Sequence, residues 1–136
     1  MLDERTRAFI TESEIPVGVF IDRDTEETEE WVIPVFSVSD VFLFFYVRRI
    51  ARAGFAKIKL VDYNGIISSN AEILEEISGM RKTSDGSIDL VQKKDFSLAA
   101  LNENSLLMLS FEGWKVMERE ADIDENLRSS VLLMRP

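Results

Sequence analysis

The sequence has no cysteine and no histidine. The first absence removes disulfides, thiolate nucleophiles and sulfur ligands. The second removes the commonest general base, the serine relays built on it, histidine-ligated haem and the usual zinc sites. Carboxylate, hydroxyl, lysine and arginine chemistry remain. With Pro 3 and Gly 6, the composition is also far from fibrous or low-complexity chains. Uninterrupted apolar runs are lacking as well. The oiliest stretch, residues 31–47, contains Pro34, Ser37, Ser39 and Asp40 and falls short of the roughly 20 clean apolar residues that cross a bilayer. The opening residues carry Asp3 and Glu4 before any apolar stretch, unlike the basic and then apolar lead of a secretory signal, so the expected setting is cytoplasmic with no membrane partner.

What is present suits one globular unit, a single domain over residues 1–136. Its 136 residues are 46% hydrophobic and 30% charged, enough apolar side chains to bury a core without a covalent staple. Acids outnumber bases 25 to 16, and the formal charge of −9 argues against a nucleic-acid partner, because phosphate-backbone binding draws on arrays of Lys and Arg.

Along the chain, β-forming runs at residues 15–21 and 31–36 flank an acidic stretch and read as a hairpin or two neighbouring strands. Pro16 and Pro34 each lack a ladder donor, which points these segments to sheet edges or strand starts. Ser37 or Ser39 is placed to cap a helix over residues 40–53, and Gly54 to end it. At about 100° per residue, Phe42, Leu43, Tyr46, Val47, Ile50 and Ala53 gather on one face, and Val41, Phe45, Arg48, Arg49 and Arg52 on the other. Residues 55–63 alternate as a strand with one wet side. Ser69 and Glu72 have capping-box spacing for a helix over residues 70–78 before Gly79. Asp85-Gly86 precedes a β-like run at residues 88–92, and Asp95 is a candidate cap for a short helix in residues 93–103. Residues 105–111, a turn at Glu112-Gly113 and a partner strand through Trp114 and Val116 read as a late hairpin. Residues 121–135 fit a helix, with a strand over residues 131–134 as the alternative. The expectation is an α+β fold: a mainly antiparallel sheet of about five strands with helices packed largely on one face.

Two features bear on function. Six carboxylates, Asp22, Asp24, Glu26, Glu27, Glu29 and Glu30, crowd one short segment. Its start resembles a calcium loop, but Glu27 stands where that loop needs glycine, so the spacing reads as a solvated acidic loop and calls for no metal. Residues 1–30 hold ten acids and three bases, whereas residues 31–69 hold two acids and five bases. This polarity suits electrostatic guidance of a partner, by setting orientation and on-rate. The sharper feature is the outward helical face, where Val41 and Phe45 stand beside Arg48, Arg49 and Arg52. An aromatic anchor ringed by arginine is a frequent composition of interface hot spots.

No nucleophile-base motif or phosphate loop is present, and the carboxylate pairs Glu75/Glu76 and Asp122/Asp124 are not distinctive. The expected function is therefore a non-enzymatic intracellular protein-binding module, an adaptor, inhibitor or immunity-like partner protein. It would dock another protein or a second copy of itself and need no cofactor. The alternatives are a small carboxylate-based hydrolase or lyase, and a regulatory domain holding a small anionic ligand at Arg48, Arg49 or Arg52. An enclosed pocket at these arginines would favour the ligand; a flat patch with Phe45 exposed would favour the partner.

Overall fold

A computed structural model describes residues 17–21, 28–54, 56–83, 87–101, 104–120, 127 and 129–136. Strand β1 (Val17–Ile21) is followed by β2 (Glu30–Val35), and a 3-10 turn, Val38–Leu43, runs directly into α1 (Phe44–Ala53). Then come β3 (Lys57–Asp62), α2 (Ala71–Thr83) and β4 (Ile88–Gln92). Two short 3-10 turns, Lys93–Asp95 and Leu98–Ala100, lead to β5 (Ser105–Ser110), α3 (Phe111–Glu120) and β6 (Ser130–Arg135).

Among the described residues, six strands form one sheet in the order β1-β6-β5-β2-β3-β4. Every pairing among β2 to β6 is parallel; only β1 against β6 runs antiparallel. The expected mainly antiparallel sheet is thus overturned. Residues 17–21 and 31–36 do not pair, since β1 lies at the far edge on β6 while β2 sits centrally between β5 and β3. The late hairpin is overturned too, because the residues after Ser110 coil into α3. Its cap explains why: the Ser110 hydroxyl accepts a hydrogen bond from the Gly113 N–H at 2.9 Å, which starts a helix two residues before the supposed turn glycine.

Burial accounts for the parallel arrangement. Every residue of β5 is buried, and β2 is buried from Val32 to Val35, as strands covered on both faces must be. From β2 the chain steps outward through β3 to β4, then returns to the other side of β2 and steps outward again through β5 to β6. Right-handed crossovers place the helices of the two excursions on opposite faces. The core accordingly divides in two. On one face Leu43, Phe44, Val47, Ile73, Ile77 and Met80 from the 3-10 turn, α1 and α2 pack on Ile33, Val35, Ile58 and Leu60. On the other, Phe111, Trp114 and Met117 of α3 pack on Val32, Leu107, Leu109, Val131 and Leu133. Helices on both faces replace the one-face packing expected, and each fully buried large side chain contributes about 1.5–3 kcal/mol.

Proline at position 34 fits a central strand for a specific reason. Glu29 and Val35 carbonyls accept from β3 and its continuation, at Lys57 and Tyr63, so the intervening even-numbered residues face β5. The missing N–H of Pro34 therefore falls on the β5 side, where registered pairs run only from Glu30↔Ser105 to Val32↔Leu107. Six pairs join β2 to β3. The seam between β2 and β5 thus lacks backbone pairs in its upper half.

Other local expectations shift by a turn or less. Gly54 ends α1 in the left-handed conformation, φ 74°, with its N–H donating to the Ile50 carbonyl. The buried side of that helix is Leu43, Phe44, Val47 and Ala51, while Ala53 is exposed. The tighter 3-10 winding of its lead-in rotates the wheel relative to a uniform α-helix. At α2 the cap is Asn70, whose Oδ1 accepts from the Glu72 and Ile73 N–H groups, and the helix continues past Gly79 to Thr83. The short helix expected in residues 93–103 is two 3-10 turns, and β6 is a strand. Residues 121–126, where the last helix was expected to start, lie outside the described residues.

Candidate functional site

The 3-10 turn and α1 descend from the carboxyl end of β2. Val38, Val41, Phe42 and Phe45 recur at i, i+3, i+4 and i+7, and Arg49 and Arg52 continue the same side of α1. Among the described residues, Val38 (61%) and Phe45 (52%) are the exposed large hydrophobic side chains. Phe45 has an ordered setting: Tyr46 meets its ring edge-on at 5.3 Å, and the Arg49 guanidinium carbon lies 4.6 Å from its centroid. That cation–π geometry holds the ring upright beside a positive charge.

The remaining residues expected on this face are engaged differently. Val41 is half-buried against the core. Arg48 forms an ion pair with Glu76 of α2. With Arg52, Glu75, Glu76 and Thr83 it also lines a groove of about 310 Å³ between α1 and α2. Two carboxylates thus share that groove with the two arginines. The exposed part of the expected face is Phe45, Arg49 and Arg52, extended by Val38.

The acidic residues expected to guide a partner are elsewhere. Asp22, Asp24, Glu26 and Glu27 lie outside the described residues. Glu29 and Glu30 are at the amino end of β2, about 17 Å of strand away from the turn that opens α1. Glu29 is exposed, and Glu30 pairs with Lys59 at 3.6 Å.

The carboxyl edge of the sheet holds what the sequence did not flag. Its two buried acids are committed to backbone. Asp40 accepts the Phe36 N–H at 2.8 Å, and Asp62 accepts the N–H groups of Ile67 and Ser68 and the Ser68 hydroxyl. They brace the turns after β2 and β3. Ser37 and Ser39, expected as helix caps, hydrogen-bond each other at 2.6 Å; neither side chain caps the 3-10 turn.

On the α3 side, Phe36 stacks on Tyr63 with centroids 4.2 Å apart. Lys93 lies over the Tyr63 ring and pairs with Glu120 at 3.5 Å. Burial, then the hydrogen bond to Glu120 and the repulsion of its charge, push the Tyr63 phenol up to about 12.

Over the ends of β5 and β6 opens a crevice of about 260 Å³. Ser39 and Phe42 line it from the turn after β2, Ser110 to Glu112 from the start of α3, and Met134, Arg135 and Pro136 from the end of β6. In the sequence Phe42 reads as core, Ser39 as a cap, Ser110 and Phe111 as strand, Glu112 as a turn and Met134 as part of a terminal helix or strand, and none of them stands out as a site residue. The usable signal was the alternation of strand-like and helix-like segments, which announces a parallel sheet whose loops converge at one edge.

Among the described residues, no group of three or more acids is placed to hold a metal ion, and no helix is long and apolar enough to cross a membrane. Compared with known proteins, the chain matches no family model and no curated relative.

Proposed function

We propose that this chain is a protein-binding module that docks an acidic partner protein through Phe45 and the arginines flanking it. The observation that carries the reading is the half-exposed Phe45 ring with the Arg49 guanidinium stacked on it. A desolvated aromatic anchor supplies affinity, while Arg49 and Arg52 at its rim select an acidic surface and set register. A different protein is the favoured occupant, because two copies each carrying −9 repel. The reading is non-enzymatic: the buried acids at the strand ends serve backbone donors, which removes the best-placed carboxylates from an acid/base mechanism.

The test places a photo-crosslinking residue at position 53, exposed one turn beyond Arg49 on α1, in the otherwise unaltered protein and in a Phe45→Asp variant, both first shown to fold. One acidic partner crosslinked only when Phe45 is present supports the reading. Equal crosslinking by both rejects the patch. Light scattering gives the remaining outcome: twice the 15.6 kDa mass for the wild type and a monomer for Phe45→Asp would assign the surface to a second copy instead.

A further inference from the structure

We propose that the crevice at the carboxyl edge of the sheet binds a small monocarboxylate with an apolar tail. Its position is the first argument. The order β6-β5-β2-β3-β4 reverses direction between β2 and β5, so the connections leaving these two strands turn to opposite faces and leave room between them. Ligands of open parallel sheets collect outside the carboxyl ends at such a reversal. Here the wall comes from both sides of it: Ser39 and Phe42 follow β2, while Ser110, Phe111 and Glu112 end β5 and begin α3. The seam below is the one in which Pro34 leaves the upper half of the β2–β5 ladder without registered pairs.

The lining chemistry selects the ligand. Phe42, Phe111, Met134 and Pro136 offer apolar surface, and Ser39 and Ser110 offer hydroxyls. Arg135 is the basic residue of the lining. It already interacts within the protein, but a guanidinium carries five N–H donors and can hold a ligand carboxylate as well. A polyanion does not suit the site. Glu112 stands at its rim, and the turn from Phe36 to Asp40 contains no glycine to bring backbone N–H groups against a phosphate. The volume, about 260 Å³, lies just below the span of roughly 300–1,000 Å³ typical of drug-sized ligands, which points to a short branched or aromatic acid.

Calorimetric titration with 4-methylpentanoate, and with the neutral 4-methylpentanamide as its isostere, tests the proposal. The expected result is saturable binding of the acid by the wild type and at least about tenfold weaker binding of the amide. Arg135→Gln should weaken the acid by a similar factor. Ser39→Trp, at an exposed position, should fill the crevice and abolish binding, and unchanged circular dichroism would show that the fold survives. Phe45→Asp should bind the acid like the wild type, which separates this site from the docking patch. The proposal is overturned if the wild type binds neither compound, if acid and amide bind alike, if Ser39→Trp binds normally, or if inorganic phosphate displaces the acid.

Discussion

Tyr63 joins three parts of the molecule through one ring: Phe36 packs on it from the end of β2, Lys93 covers it from beyond β4, and Glu120 of α3 accepts a hydrogen bond from its hydroxyl. Its folded-state pKa of about 12 lies above the ordinary 10.0, so the folded protein holds the proton more tightly than the unfolded chain. The stabilisation is complete below the ordinary value and is lost as pH rises from there through about 12. Denaturation midpoints measured across the alkaline range should fall for the wild type, and fall less steeply for Tyr63→Phe. At Gly113 the constraint is space. A Cβ there would sit 2.6 Å from Cδ2 of Phe36, whose ring Tyr63 holds in place. Gly113→Ala should cost about 1–3 kcal/mol in urea unfolding, and shortening the neighbour with Phe36→Leu should recover part of that loss. A purely additive double mutant would contradict this close packing.

Elements were more legible in the sequence than their partners. The spans of β3, β4 and β5 and the stop at Gly54 follow from β-former runs and turn residues, because these signals act within a few residues. Strand direction does not act locally. The same apolar run that suggests one strand of a hairpin also describes a strand buried on both faces, and the unbroken burial of Ser105–Ser110 is the mark of the second case. Trp114 shows the cost of choosing wrongly. Read as a strand residue, it is in fact fully buried on α3, with Phe111 and Met117 at helical spacing beside it. The outward set on α1 was legible because amphipathic periodicity is local; the crevice was not, because it exists only once β2, β5 and β6 are side by side. At α2, the Asn70 side chain meets two of the first N–H groups, and Asn70→Ala should destabilise the protein by about 1 kcal/mol in thermal or urea unfolding. Ser69→Ala should change far less, since the expected capping box is not the one formed.

Across the whole molecule, the proposed docking patch and the crevice adjoin one another through the 3-10 turn: Val38 and Phe45 point to solvent, while Ser39 and Phe42 from the same stretch line the crevice. The two sites can therefore be altered separately. Phe45→Asp removes an exposed ring and should leave folding stability within about 0.5 kcal/mol of wild type by urea denaturation, so lost association would report docking and not unfolding. The charge polarity of the sequence is only partly carried into space, because Glu30 is neutralised locally by Lys59 at the opposite end of the sheet from Val38.

The edge pairing of β1 with β6, from Val17↔Arg135 to Ile21↔Val131, has a consequence for biosynthesis. As the chain leaves the ribosome, β1 emerges long before its partner β6, while β2, β3 and β4 can already align. It must wait until β6 has been translated, which makes closure of this border a late event and leaves the nascent chain open there to chaperones.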